Sequence, residues 1–101
     1  MKLFIYEHIT SGALSGNSLP VSLANEGNVM LMAVLHDCAY LSGMFINTMR
    51  DQRLKAIAFI EHHPQHNCHF ISTQTQYAQS WQHCLNTADA VLIIAPETDS
   101  L

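Results

Sequence analysis

The polar residues best suited to chemistry lie at the ends of apolar runs in this 101-residue chain. Leu3-Phe4-Ile5-Tyr6 leads into Glu7-His8-Ile9-Thr10-Ser11-Gly12. A second run leads into Arg50-Asp51-Gln52-Arg53, a third into Ser72-Thr73 and a fourth into Pro96-Glu97-Thr98. Arginine can recognise a carboxylate or phosphate through two parallel N–H bonds. Glu7 or Glu97 could orient a reacting group or serve as a base. The competing reading is a ring of surface salt bridges, with Arg53 paired to Asp51 or Glu97.

A second cluster is His62-His63-Pro64-Gln65-His66-Asn67-Cys68-His69. Zinc takes histidine nitrogen and cysteine sulfur in tetrahedral geometry. No C-x-x-C or H-E-x-x-H accompanies the cluster, so a histidine-rich surface loop is expected. His63 and His66 stand as weak metal candidates, able to chelate adventitiously. Gly12 and Gly16 do not form the G-x-G-x-x-G dinucleotide fingerprint. A G-x-x-x-x-G-K-[ST] phosphate loop and a G-x-S-x-G nucleophile elbow are also absent.

Strands and helices must position these residues. Lys2 to His8 is apolar at nearly every position, as a strand covered on both faces would be. Thr10 to Pro20 reads as a loop. Ser22 to Leu41 reads as a helix with Leu23, Met30, Leu31, Val34, Leu35, Cys38 and Leu41 on one stripe. Ser22 is the expected N-cap, with Ser18 and Pro20 as an alternative start, and Gly43 suits the C-cap. Gly27, inside the helix, should cost about 1 kcal/mol relative to alanine. It implies close packing on the sheet, or room left for a ligand or loop.

Met44 to Met49 is a second strand, and Ala56 to Ile60 could be strand or helix. His62 to Asn67 is a loop and Cys68 to Ser72 a short strand. Thr73 and Gln76 resemble a capping box for a second helix. Tyr77, Trp81, Cys84, Leu85 and Ala88 form the apolar face of that helix. Val91-Leu92-Ile93-Ile94 reads as the clearest buried strand. The pattern predicts an α/β fold, an open, mostly parallel sheet of about four strands with helices packed on it. Ligands of such sheets bind at the carboxyl ends of the strands.

Composition narrows the function. Apolar residues are 49% and charged residues 12% of the chain, which excludes intrinsic disorder. Four basic residues face eight acidic ones, so no basic face for nucleic acid is expected. No apolar run suits a signal peptide or a membrane span. Three cysteines without close pairing read as buried reduced thiols, and the compartment as cytoplasmic. Glu97 to Ser100 looks like a helix start without a body, so the chain is expected to be one domain, 1–101, cut from a longer protein. Apolar surface left bare by such a cut predicts self-association.

Four segments in order resemble a group of ATP-grasp proteins. Phe4-Ile5-Tyr6-Glu7-His8-Ile9-Thr10-Ser11-Gly12 is similar to their first strand and its E-[YF]-[IV]-T-G-G-G-like loop. Leu23-Ala24-Asn25-Glu26-Gly27-x-x-Met30-Leu31 resembles their L-x-x-E-G-x-x-M-L helix. Arg50-Asp51-x-Arg53-Leu54 resembles their R-D-x-R-L. Ala88-Asp89-Ala90-x4-Ile94-Ala95-Pro96-Glu97-Thr98-Asp99 resembles their A-D-A-x4-I-A-P-E-T-D. The group includes proteins similar to tyramine–glutamate ligase of methanofuran biosynthesis.

The resemblance implies a Rossmann-like pre-ATP-grasp domain at the N-terminus of an amide-forming ligase. Such enzymes activate a carboxylate as an acylphosphate, which an amine then attacks. ATP and Mg²⁺ belong to later domains, so no cofactor is expected on this chain. Its implied partners are those C-terminal ATP-grasp domains and a small carboxylate or amine substrate. Carried over, Glu7, Thr10, Ser11 and Gly12 form the loop facing the substrate. Gly12 presents backbone N–H groups to an anion. Glu26 and Gly27 lie beneath that loop, Arg50, Asp51 and Arg53 line the second strand end, and Glu97 and Thr98 sit beside it. Ser11 and Ala13 stand where the family loop carries glycines. Two alternatives stay open: a stand-alone module binding a small anion without chemistry, and a structural domain docking on a partner chain.

Overall fold

Phe4, Ile5 and Tyr6 are buried because their strand is central and covered on both faces. The computed structural model describes residues 1–57 and 63–94. In chain order these form β1 (Lys2–Glu7), α1 (Val21–Cys38), β2 (Phe45–Asp51), β3 (His66–Ile71), α2 (Gln74–Thr87) and β4 (Ala90–Ile94). The strands make one sheet, order β3-β2-β1-β4, and every pairing is parallel. This is the α/β fold the alternation of elements predicts.

Successive side chains of β1 point to opposite faces, which gives two small cores. Ile5 packs with Leu31, Leu35, Ile46 and Ile57 on the α1 side. Phe4 and Tyr6 pack with Met49, Ile71 and Cys84 on the α2 side. Trp81 of α2 sets its ring edge-to-face against Phe4 and Tyr6, at centroid distances of 5.7 and 4.7 Å. Each fully buried apolar side chain contributes about 1.5–3 kcal/mol, so β1 carries much of the stability.

Several sequence expectations are corrected. Val91, Leu92 and Ile93 of β4 are 41%, 40% and 61% exposed. An apolar run shows that both faces are apolar, not that both are covered, and among the described residues β4 is an edge strand paired only with β1. α1 starts at Val21, with Pro20 at the N-cap and no side-chain cap, so Ser22 does not cap it. α1 ends at Cys38, and Gly43 instead takes a positive φ of 74° in the turn before β2. That turn lets Phe45 N–H reach Met1 C=O at 2.8 Å and begin the β1–β2 ladder. The buried stripe of α1 is Ala24, Gly27, Leu31 and Leu35, while Leu23 and Leu41 are exposed. β3 begins at His66, so His66 and Asn67 belong to a strand rather than to a histidine-rich loop.

α2 is capped by Thr73, whose side chain accepts from Gln76 N–H at 3.1 Å. The Gln76 side chain reaches back one residue further than a capping box requires, to Ser72 N and Oγ. Of the Ala56–Ile60 segment, Ile57 is buried in the α1-side core and residues 58–60 lie outside the described residues. The helix start expected at Glu97 to Ser100 also lies outside them.

Candidate functional site

Parallel pairing brings the carboxyl ends of β1, β2 and β3 to one rim, where the chain leaving β1 turns repeatedly over residues 8–16. Glu7, the last residue of β1, is only 1% exposed. Its Oε1 accepts from Thr10 N–H and from Thr10 Oγ1–H, both at 2.8 Å. A buried carboxylate therefore closes the first turn of the loop. Glu7 Oε2 is buried and has no hydrogen-bond partner among the described residues.

Gly27 of α1 explains how that carboxylate fits. A Cβ there would stand 2.5 Å from Glu7 Oε1 and 2.7 Å from its carboxyl carbon. The glycine that looked awkward in the sequence is the opening through which the helix passes the strand end. Of the pair expected beneath the loop, Gly27 is there, while Glu26 is exposed on α1.

The rest of the loop is sewn down from three elements. Thr10 C=O accepts from Asp51 N–H at 2.7 Å, which joins it to β2. Asp51 is buried, and Arg53 grips it with Nε at 3.0 Å from Oδ1 and Nη2 at 2.7 Å from Oδ2. The Arg53 side-chain hydrogen bonds hold the Asp51 carboxyl below its usual range, outweighing its burial. Arg53 also donates to Asn17 C=O at 2.6 Å and Leu14 C=O at 3.1 Å. Most of its five donors thus serve the chain itself. From α2, Gln74 Nε2 donates to Ala13 C=O and Ser15 C=O.

Gly12 has φ +97°, and a Cβ on it would overlap the Ile71 side chain at the end of β3. No non-glycine residue has a positive φ among the described residues, so Ala13 sits in the loop without that strain. Ser11 is fully buried, with Oγ donating to His8 C=O at 2.7 Å and accepting from Ala13 N–H at 3.2 Å. Arg50, 4% exposed, turns to the α1 side and donates to Asn28 Oδ1 at 2.9 Å and Lys55 C=O at 2.8 Å. Burial lowers its proton affinity.

The structure thus gathers Glu7, Thr10, Ser11, Gly12, Asp51 and Arg53 into one network, with Arg50 nearby on the helix side. Glu97 and Thr98 lie outside the described residues. Sequence reading missed a chain of hydroxyls beneath the loop. Tyr6 OH meets His8 Nδ1 at 2.8 Å and Tyr77 OH, with Ser11 Oγ 3.3 Å away. Burial pushes the Tyr6 phenol above its ordinary value, so it stays a donor. The available signal was Tyr rather than Phe in a core strand, with His8 two residues on and hence on the same face. His8 is exposed, so this buried phenol fixes an imidazole at the surface of the rim.

His63 and His66 do not form a matched pair. His66 lies on β3 with Nε2 3.0 Å from Thr48 Oγ1, whereas His63 Nδ1 accepts from Gln65 N–H at 3.3 Å. Burial lowers the His66 pKa to about 4, with smaller contributions from His63 and His69. Among the described residues, no three His, Cys, Asp or Glu side chains converge in a way that could hold a metal ion. No helix among them is long and apolar enough to cross a membrane.

A four-stranded parallel sheet whose first strand ends in a pinned, glycine-bearing loop defines an α/β domain, and open sheets of this kind take their ligands at the strand carboxyl ends. The pre ATP-grasp 3 domain family matches residues 45–101, more than half of the chain, and the chain belongs to that family. It is accordingly an N-terminal domain of the ATP-grasp superfamily. No curated protein and no solved structure matches it.

Proposed function

We propose that this domain forms the substrate side of the cleft in an ATP-dependent ligase that joins a carboxylate to an amine, as in tyramine–glutamate ligase-like proteins. The observation that carries this reading is the loop after β1. Its turns are fixed by a buried carboxylate, an arginine strap and a glutamine clamp, all supplied by the chain itself. Preorganised polar backbone at a strand end suits the orientation of a small charged substrate.

In this reading ATP and Mg²⁺ are held by the ATP-grasp domains, and the chain is not catalytic alone. Asp51 is engaged by Arg53. The bare apolar face of β4, with Val91 and Ile93, supports association with those domains or with a second copy. The proposed setting is the cytoplasm.

Equilibrium dialysis with Mg²⁺ and labelled ATP tests the division of labour. The chain alone should bind no ATP. Joined to ATP-grasp domains, it should support ATP-dependent amide formation that is lost when Gly12 becomes valine. Magnesium-dependent ATP binding by the isolated chain would overturn the proposal.

A further inference from the structure

The opposite, amino-terminal end of the sheet carries a second set of groups that the rim does not use. On the α2 face, β2 presents Asn47 and β3 presents Asn67 and His69, with Asn47 beside Asn67 in the ladder. α2 contributes His83 from its last turns. The rings of His69 and His83 lie 5.9 Å apart between centroids, inclined at 63°. His83 also forms part of the wall of a cleft of about 320 Å³, together with Asn47, Asn67 and Gln65.

Geometry and tautomer both suit metal ligation. A metal ion about 2.0–2.1 Å from one nitrogen of each of two imidazoles holds their ring centroids roughly 5–6 Å apart. His69 Nε2 lies 3.2 Å from Asn47 Oδ1. A carbonyl oxygen only accepts, so the tautomer that satisfies this contact carries its hydrogen on Nε2 and leaves the Nδ1 lone pair for a metal. A carbonyl holding the far N–H of a ligating histidine is the usual arrangement around metal sites.

We infer that His69 and His83 clamp a divalent transition-metal ion of the zinc, nickel or copper type between β3 and α2, with water from the cleft completing its coordination. Imidazole is a good ligand for all three ions. The site is separate from the rim and does not depend on the ligase reading. His63, the earlier candidate, takes no part.

Calorimetry with zinc and imidazole NMR with copper test the inference. Zinc should bind at one site per chain, and substoichiometric copper should broaden the ring signals of His69 and His83 before those of His8, His63 or His66. His83→Gln, at an exposed position, should weaken zinc binding at least about tenfold, and Asn47→Ala about tenfold by freeing the ring. His63→Gln should leave the affinity unchanged. Absence of binding at about 100 µM zinc would overturn the inference. So would an affinity that survives His83→Gln, or broadening centred on His63 and His66.

Discussion

Replacing Gly27 by alanine sets two opposed effects against each other, and the structure decides between them. Alanine favours the helix interior over glycine by about 1 kcal/mol. Its Cβ, however, would stand 2.5 Å from Glu7 Oε1, an atom already fixed by two hydrogen bonds from Thr10. Squeezing an extra carbon into a packed site costs about 1–3 kcal/mol. Rotating Glu7 away instead breaks hydrogen bonds to a charged group, worth about 1.5–3 kcal/mol each. A contact of 2.5 Å calls for the upper part of that overpacking range, about 2–3 kcal/mol, so after the helix gain the net expectation for Gly27→Ala is destabilisation by about 1–2 kcal/mol. Removing the obstacle should reverse the sign. In a Glu7→Ala background, Gly27→Ala should be neutral or stabilise by up to about 1 kcal/mol, giving a coupling of about 2–3 kcal/mol. Urea unfolding followed by Trp81 fluorescence reads this directly, because Trp81 packs against Phe4 and Tyr6 in the core. With a slope of about 1–1.5 kcal/mol/M, the midpoint should fall by about 1–2 M in the single variant. A Gly27→Ala protein as stable as its parent, or the same change in both backgrounds, would refute the cradle.

Three further outcomes follow from the geometry. His66 titrates at about 4 in the fold against an ordinary value of 6.5, so unfolding takes up a proton between those limits. Stability should therefore be complete above about pH 6.5 and fall toward pH 4 by about 1–2 kcal/mol, after discounting for partial exposure. His66→Gln should flatten that slope in melting curves, and an unchanged slope would assign the acid sensitivity elsewhere. Asp51→Asn removes the buried charge that Arg53 grips and should cost about 1–3 kcal/mol. It should also speed amide exchange at Ser15 and Asn17, and slow exchange there would show that the strap is idle. Tyr6→Phe leaves His8, Tyr77 and Ser11 without their shared hydroxyl, for a loss of about 1–2 kcal/mol in thermal or urea unfolding. Full stability would mean that water replaces the phenol.

The fold was legible where pattern and burial coincide. β1 and the Tyr77–Ala88 face of α2 declared themselves because one strand is covered twice and one helix face once. β4 was misjudged because hydropathy reports what a strand could bury, while neighbours decide what it does bury. α1 was overextended because Leu41 fits its stripe, but the chain must leave the helix in time to lay Phe45 beside Lys2. At the rim, residue types were readable and partners were not. Nothing in the spacing of Glu7 and Gly27, or of Arg53 and Asn17, shows that they meet, because these contacts arise only when strand ends converge. The hydroxyl chain from Tyr6 to Tyr77 joins residues 71 positions apart and left no local pattern.

The place of β4 has a temporal consequence. Its pairing with β1 sets Leu3 beside Ala90 and Glu7 beside Ile94, the longest sequence separation in the sheet. The β1–α1–β2 unit can assemble from nearby segments, but β1 keeps one edge open until residues 90–94 are available. Closing so long a loop is slow on topological grounds. β4 should be the last of these four strands to dock during synthesis and the first of them to leave under force or heat. Asp89, which accepts from Lys2 N–H at 2.7 Å just before the strand begins, then acts as the latch of a late-closing sheet.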